Sequence, residues 1–170
     1  LVEFHDLNIE DVTLVWDRGV TSEANISDAK KAGFEVICGI AIKQDVQKKA
    51  DQLLISKDEF MQLKNRIRLK NTVLYCIQQK YRYGDINGNI TFCYNEEKSR
   101  LNKEKRIDMI QVAQELIQKR KPISDGIKKY FNADNTINET AIHKAQKYDG
   151  LSAIFSTKNL RIEEIVNPYF

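Results

Sequence analysis

The sequence predicts an α/β fold: a parallel strand–helix–strand unit, resumed near the end of the chain and interrupted by a mixed α+β insertion. Three observations carry that expectation. Val12–Trp16 and Phe34–Ile42 are apolar, β-branched runs of strand length, and the segment between them reads as a helix closed by Gly33. A third apolar run, Leu151–Ser156, stands far downstream beside another helical segment. With 42% apolar residues, two prolines and seven glycines, the 170-residue chain can bury a core and does not read as a linker or a repetitive β-scaffold.

Val12–Trp16 has the composition of a buried strand and ends at Asp17-Arg18-Gly19, a sharp exit. Thr21 or Ser22 can cap the helix that follows, with Glu23 in its first turn and Gly33 at its C-terminal cap. A strand after a helix after a strand implies a parallel pair. Residues 44–55 read as an amphipathic helix. Thr72–Tyr83 and Ile90–Tyr94 read as two strands around Gly84–Asn89, with Asn87-Gly88 as the turn signal. Glu96 to about Lys119 reads as a long helix with Ile107, Ile110, Ala113 and Ile117 on one stripe, closed by Pro122. A short helix near Asp125–Phe131 and another segment at Ala141–Lys147 lead to the Asp149-Gly150 turn. Arg161–Val166 begins a final helix that Pro168 should disturb.

The net charge of +3 is unevenly spread. Residues 1–41 hold three basic and eight acidic side chains, whereas 42–83 hold ten basic and four acidic. An acidic segment followed by a basic one suits a carboxylate-bearing core beside a polyanion-facing insertion, or simply a solvated charged surface. Within the basic segment, Lys64, Arg66, Arg68 and Lys70 alternate with Asn65, Ile67 and Leu69. On a strand all four would point one way, as tracking a phosphate backbone requires. Tyr75, Tyr81 and Tyr83 nearby suit hairpin packing better than base stacking. No run approaches the roughly 20 apolar residues of a membrane span, so no membrane partner is expected. Cys38, Cys76 and Cys93, odd in number and widely spaced, suit reduced core thiols in a cytosolic protein. His5 and His143 lack partners at ligand spacing. The start at Leu1, without Met, suggests a chain cut from something longer.

An aspartate at the carboxyl end of a parallel strand is where open α/β sheets place ligands, so Asp17 is a candidate site residue; capping of the next helix is the structural alternative. The surrounding words narrow this. Trp16-Asp17-Arg18-Gly19, Ser22-x-x-Asn25-Ile26 and Ala32-Gly33 before a strand resemble the second acidic motif of insertion-sequence transposases of the DDE type, notably insertion-sequence family four and its relatives. The resemblance resumes at Tyr148-Asp149-Gly150-Leu151, a strand ending in Ser156-Thr157, then Leu160-Arg161-Ile162-Glu163-Glu164-Ile165-Val166. Tyr169 fits the first position of the family's Tyr-x2-Arg-x3-Glu-x6-Lys motif. The likeness covers essentially the whole chain, since Tyr94-Asn95-Glu96-Glu97 and the charged helix after it also keep the family's order.

The resemblance implies a ribonuclease-H-like core, with 1–41 and 148–170 as its parts and 42–147 as an inserted subdomain. It implies an enzyme in which Asp, Asp and Glu hold two Mg²⁺ or Mn²⁺ ions for cleavage and strand transfer of DNA ends. Hard cations want carboxylate oxygens, and a metal pair can activate a hydroxyl while stabilising the leaving oxygen. Asp17 matches the second acid. Asp6 and Asp11 read as loop charges; the first acid is expected upstream of Leu1 and the third about seven residues beyond Tyr169, so this piece should be inactive alone. Arg18 would meet a phosphate or a neighbouring acid. Asp149 could support the site, though a plain turn fits it better, and Tyr169 is a further support candidate. The implied partners are transposon-end and target DNA and, in the intact parent, a second subunit, in the nucleoid-associated cytoplasm. The rival readings are a catalytically dead nucleic-acid-binding remnant and a small-molecule α/β phosphoryl-transfer enzyme using Asp17.

Overall fold

A computed structural model describes residues 12–170; the readings of His5, Asp6 and Asp11 lie outside the described residues. The strands are β1 (Thr13–Trp16), β2 (Glu35–Ile40), β3 (Arg66–Arg68), β4 (Val73–Tyr83), β5 (Ile86–Tyr94) and β6 (Leu151–Ser156). The helices are α1 (Glu23–Lys31), α2 (Gln44–Leu54), α3 (Lys57–Phe60), α4 (Glu96–Gln118), α5 (Asp125–Lys128), α6 (Glu139–Gln146) and α7 (Ile162–Tyr169). The fold is mixed α/β, with one six-stranded mixed sheet in the order β1-β2-β6-β5-β4-β3. The described residues form two compact units: 12–94 with Ser152–Phe170, and Asn95–Leu151.

In the first unit β1 and β2 are parallel neighbours, Thr13 opposite Glu35 and Trp16 opposite Cys38, as the strand–helix–strand pattern requires. Ser22 caps α1 by accepting from the Asn25 N–H at 3.1 Å, and Gly33 leaves the helix at φ +84°. β6 runs antiparallel to β2. Ile37, Leu74, Cys76, Cys93, Ile154, Ile165 and Val166 join these strands to α7 in one core cluster; fully burying one such aliphatic side chain contributes about 1.5–3 kcal/mol. The composition of Val12–Trp16 predicts a buried strand, but β1 lies at the sheet's margin among the described residues, and Val15 is 41% exposed.

The compact units divide elsewhere than at 41/42 and 147/148. Residues 44–94 belong with the strand–helix–strand unit, because β3, β4 and β5 extend its sheet. The hairpin turn also differs from expectation. Tyr83 pairs with Ile86, which leaves Gly84-Asp85 as the two-residue loop, with Gly84 at φ +58°. The turn is held by Glu23, whose carboxylate accepts from the Asp85 N–H at 2.8 Å. Asn87-Gly88 lies inside β5 instead. There a Cβ on Gly88 would collide with the Ser156 carbonyl oxygen and come within 2.6 Å of the Phe155 ring, so glycine permits a close approach and makes no turn.

The second unit packs α4 against α5 and the residues after it through Ile110, Ala113, Ile127, Tyr130 and Phe131, with Ile117 and, from α6, Ala141, Ile142 and Ala145 partly buried beside them. Ile107 is not on this stripe and is 42% exposed; Arg106 takes the buried position and pairs with buried Asp149. Pro168 does not break α7, which continues through Tyr169, and the Phe170 N–H reaches the Val166 carbonyl. Proline sits within the last turn, where one lost backbone donor is cheap beside the buried Ile165 and Val166.

Candidate functional site

Asp17 stands at the carboxyl end of β1, where the strand passes into the 3-10 turn Arg18–Val20. Its side chain is exposed. Oδ1 accepts the Arg18 N–H at 2.6 Å and the Tyr169 hydroxyl at 3.3 Å. Asn25, in the first turn of α1, donates through Nδ2 to the Val20 carbonyl at 2.5 Å. The Asp-Arg-Gly and Ser-x-x-Asn words therefore act locally. Ser22 starts the helix, and Asn25 ties it to the turn that presents Asp17.

Tyr169 arrives from the other end of the chain, 152 positions away, on α7. Ile165 and Val166 bury one side of that helix in the sheet core, and Tyr169 packs partly buried against the same cluster. Burial, followed by the neighbouring Asp17 charge, raises the Tyr169 hydroxyl above its ordinary pKa of 10.0. It therefore remains a donor to Asp17 at neutral pH. Gly39 on β2 makes the approach possible. A Cβ there would overlap the Tyr169 hydroxyl oxygen and lie 3.3 Å from the Arg18 nitrogen. In the sequence Gly39 is one residue of an apolar run, and nothing in its neighbours signals that a tyrosine so remote would lean on it.

The opposite end of the β1–β2 pair, where Thr13 faces Glu35, is locked as well. The Val36 N–H donates to Thr157 Oγ1 at 2.9 Å, the Thr157 hydroxyl donates to the Glu35 carboxylate, and the Thr157 N–H reaches the Val36 carbonyl at 3.0 Å. Cys38, opposite Trp16 in the sheet, is buried, and burial pushes its thiol up to about 11. It is no thiolate nucleophile near neutrality. Cys76 and Cys93, widely spaced in sequence, face each other across β4 and β5 with their sulfurs 3.3 Å apart, and all three thiols are free and buried.

Asp149, the other support candidate, is committed in the second unit. Its carboxylate accepts both Arg106 guanidinium arms, Nη1 at 2.9 Å, and the two residues are almost fully buried. It is neither a solvated turn residue nor a spare acid. Arg18 is exposed. His143 is exposed on α6. Among the described residues no group of three or more His, Cys, Asp or Glu side chains could hold a metal ion. Asp17 accepts there from the Arg18 N–H and the Tyr169 hydroxyl.

The basic run Lys64–Lys70 forms a ridge. Lys64 lies in the 3-10 turn Leu63–Asn65, Arg66 and Arg68 are in β3, and Lys70 follows it. All four side chains are exposed, while Asn65, Ile67 and Leu69 between them are half-buried. Ile67 and Leu69 pack on the sheet core, which turns the basic residues outward. Among the described residues none of the four basic side chains is in an ion pair. Tyr81 and Tyr83 do not stack outward but meet Phe155 at ring-centroid distances of 6.3 and 5.6 Å. Among the described residues no helix is long and apolar enough to cross a membrane. Comparison with models of known protein families, with curated proteins and with solved structures gives no match.

Proposed function

We propose that this chain is a segment of the ribonuclease-H-like catalytic core of a DDE-type insertion-sequence transposase, with Asp17 as the second acid of its triad. One observation carries the reading. The two words on which the resemblance rests, Asp17-Arg18-Gly19 and the stretch ending in Tyr169, converge in space, with the tyrosine hydroxyl on the aspartate. Asp17 is also exposed at the carboxyl end of a parallel strand, the position at which α/β sheets carry their chemistry. In this reading the other two acids come from sequence outside the 170 residues, and Mg²⁺ or Mn²⁺ would be held only by the complete set. What this chain contributes is a carboxylate held in place by the Arg18 N–H and the Tyr169 hydroxyl.

A nuclease assay on three proteins tests this: the 170-residue chain, the longer protein bearing the upstream strand and downstream helix, and that longer protein with Asp17→Asn. The longer protein should nick DNA with Mn²⁺, the chain alone should not, and Asp17→Asn should lower the rate by about 10³-fold or more. An Asn variant as active as the unsubstituted protein removes Asp17 from the chemistry. A second reading, nucleic-acid binding without catalysis, is favoured by the outward ridge of Lys64, Arg66, Arg68 and Lys70. It predicts DNA binding in the longer protein with no metal-dependent cleavage.

A further inference from the structure

Helix α4 carries two faces. One, through Arg106, Ile110 and Ala113, is buried in its own unit. The other is an exposed stripe at alternating spacings of three and four: Lys98, Leu101, Lys105, Asp108, Val112 and Glu115. This is the spacing with which one helix meets another along a seam. Leu101 is 49% and Val112 57% exposed. Beside Val112 lies a groove of about 360 Å³ whose apolar lining includes Met109, Leu116, Ile123 and Ile127.

We infer that this face of α4 binds a second copy of the chain, the two α4 helices packing antiparallel about a two-fold axis between Arg106 and Ile107. The order of side chains along the stripe specifies the partner. In that register Lys98 faces Glu115 of the second copy, Leu101 faces Val112, and Lys105 faces Asp108; the two-fold repeats each pair in reverse. Every charge meets its opposite. Each Leu101 meets the apolar groove beside the other copy's Val112.

Other arrangements lose this match. A parallel pair stacks Lys105 on Lys105 and Asp108 on Asp108. Sliding the antiparallel pair by seven residues sets Leu101 against Lys119 or Lys105. Like charges and buried ammonium groups at a seam oppose association, so the sequence selects one register. The Lys105–Asp108 layers at the centre contribute to specificity more than to strength. The inference does not depend on Asp17 being catalytic.

Sedimentation of the 170-residue chain tests it. A concentration-dependent dimer of the 19.7 kDa chain is expected. Lys105→Glu and Asp108→Lys, each alone, place two like-charge pairs at the seam and should raise the dimer dissociation constant at least about tenfold. The double variant Lys105→Glu/Asp108→Lys restores both pairs with reversed sign and should return the constant to within about threefold of the original. Leu101→Asp should abolish the dimer. All these positions are exposed, and circular dichroism should show unchanged helicity. In a Leu101→Cys/Val112→Cys variant, mild oxidation should link two chains covalently. A monomer at every concentration overturns the inference, as does a dimer indifferent to Leu101→Asp. A double charge variant no tighter than the single ones overturns the register.

Discussion

Gly39, Tyr169 and Asp17 form a stack in which the smallest residue sets the position of the other two. Gly39→Ala would drive a methyl into the Tyr169 hydroxyl. The cost should be about 1–3 kcal/mol by urea unfolding. Tyr169→Phe removes the atom that collides, so the double variant should lose clearly less than the two single losses added together. A strictly additive result would mean that the two residues do not press on each other. The same hydroxyl gives a pH signature. Its pKa is raised in the folded chain, chiefly by burial and then by Asp17, so folding favours the protonated form. Its contribution is fully present below the ordinary tyrosine value and is lost as pH rises through the raised one. The stability gap between the unsubstituted chain and Tyr169→Phe should be flat from about pH 7 to 9 and narrow above about pH 10. A gap that widens with alkali contradicts that assignment.

At the scale of elements, α4 shows how tertiary pairing overrides periodicity. Apolar spacing favours Ile107 for the buried stripe, yet Arg106 is buried because Asp149 is there to receive its guanidinium. A buried ion pair of this kind is costly to break from one side. Arg106→Met should destabilise the second unit by about 3–5 kcal/mol, because it strands a buried carboxylate. Arg106→Met/Asp149→Leu should recover most of that loss, as measured by thermal or urea unfolding. A double variant as unstable as the single one would show that the pair contributes more than mutual neutralisation. The hairpin follows a similar logic. Asn87-Gly88 has the stronger local turn preference, but Gly88 is where the Phe155 ring and Ser156 carbonyl press on β5, and Glu23 holds the loop at Gly84-Asp85.

For the whole molecule the decisive feature is the distribution of charge over the sheet. The basic excess of residues 42–83 is carried in part by β3 and its flanks, where Ile67 and Leu69 face the core and Lys64, Arg66, Arg68 and Lys70 face outward. A ridge of this kind should bind duplex DNA weakly and without sequence preference, with an affinity that falls steeply as salt rises. Replacing all four residues by Gln should flatten the log–log salt slope by up to about four contacts' worth. An unchanged slope in a filter-binding or fluorescence titration would reduce the ridge to a solvated face.

Local chemistry was enough for much of this protein. The β1–α1–β2 unit, the Ser22 cap, the Gly33 exit and the alternation of the basic run are properties of neighbouring residues. Backbone propensity and side-chain period act over a few positions, so a sequence displays them directly. Asp17 was legible for the same reason: the strand end that presents it is built from the residues beside it. What only the tertiary structure decided are the relations across long separations. These include Tyr169 on Asp17, Gly39 beneath that tyrosine, Arg106 with Asp149, Cys76 opposite Cys93, and the joining of β3, β4 and β5 to the same sheet. Each depends on which surfaces become buried together, and that is settled by the packing of the whole chain rather than by any one stretch of it.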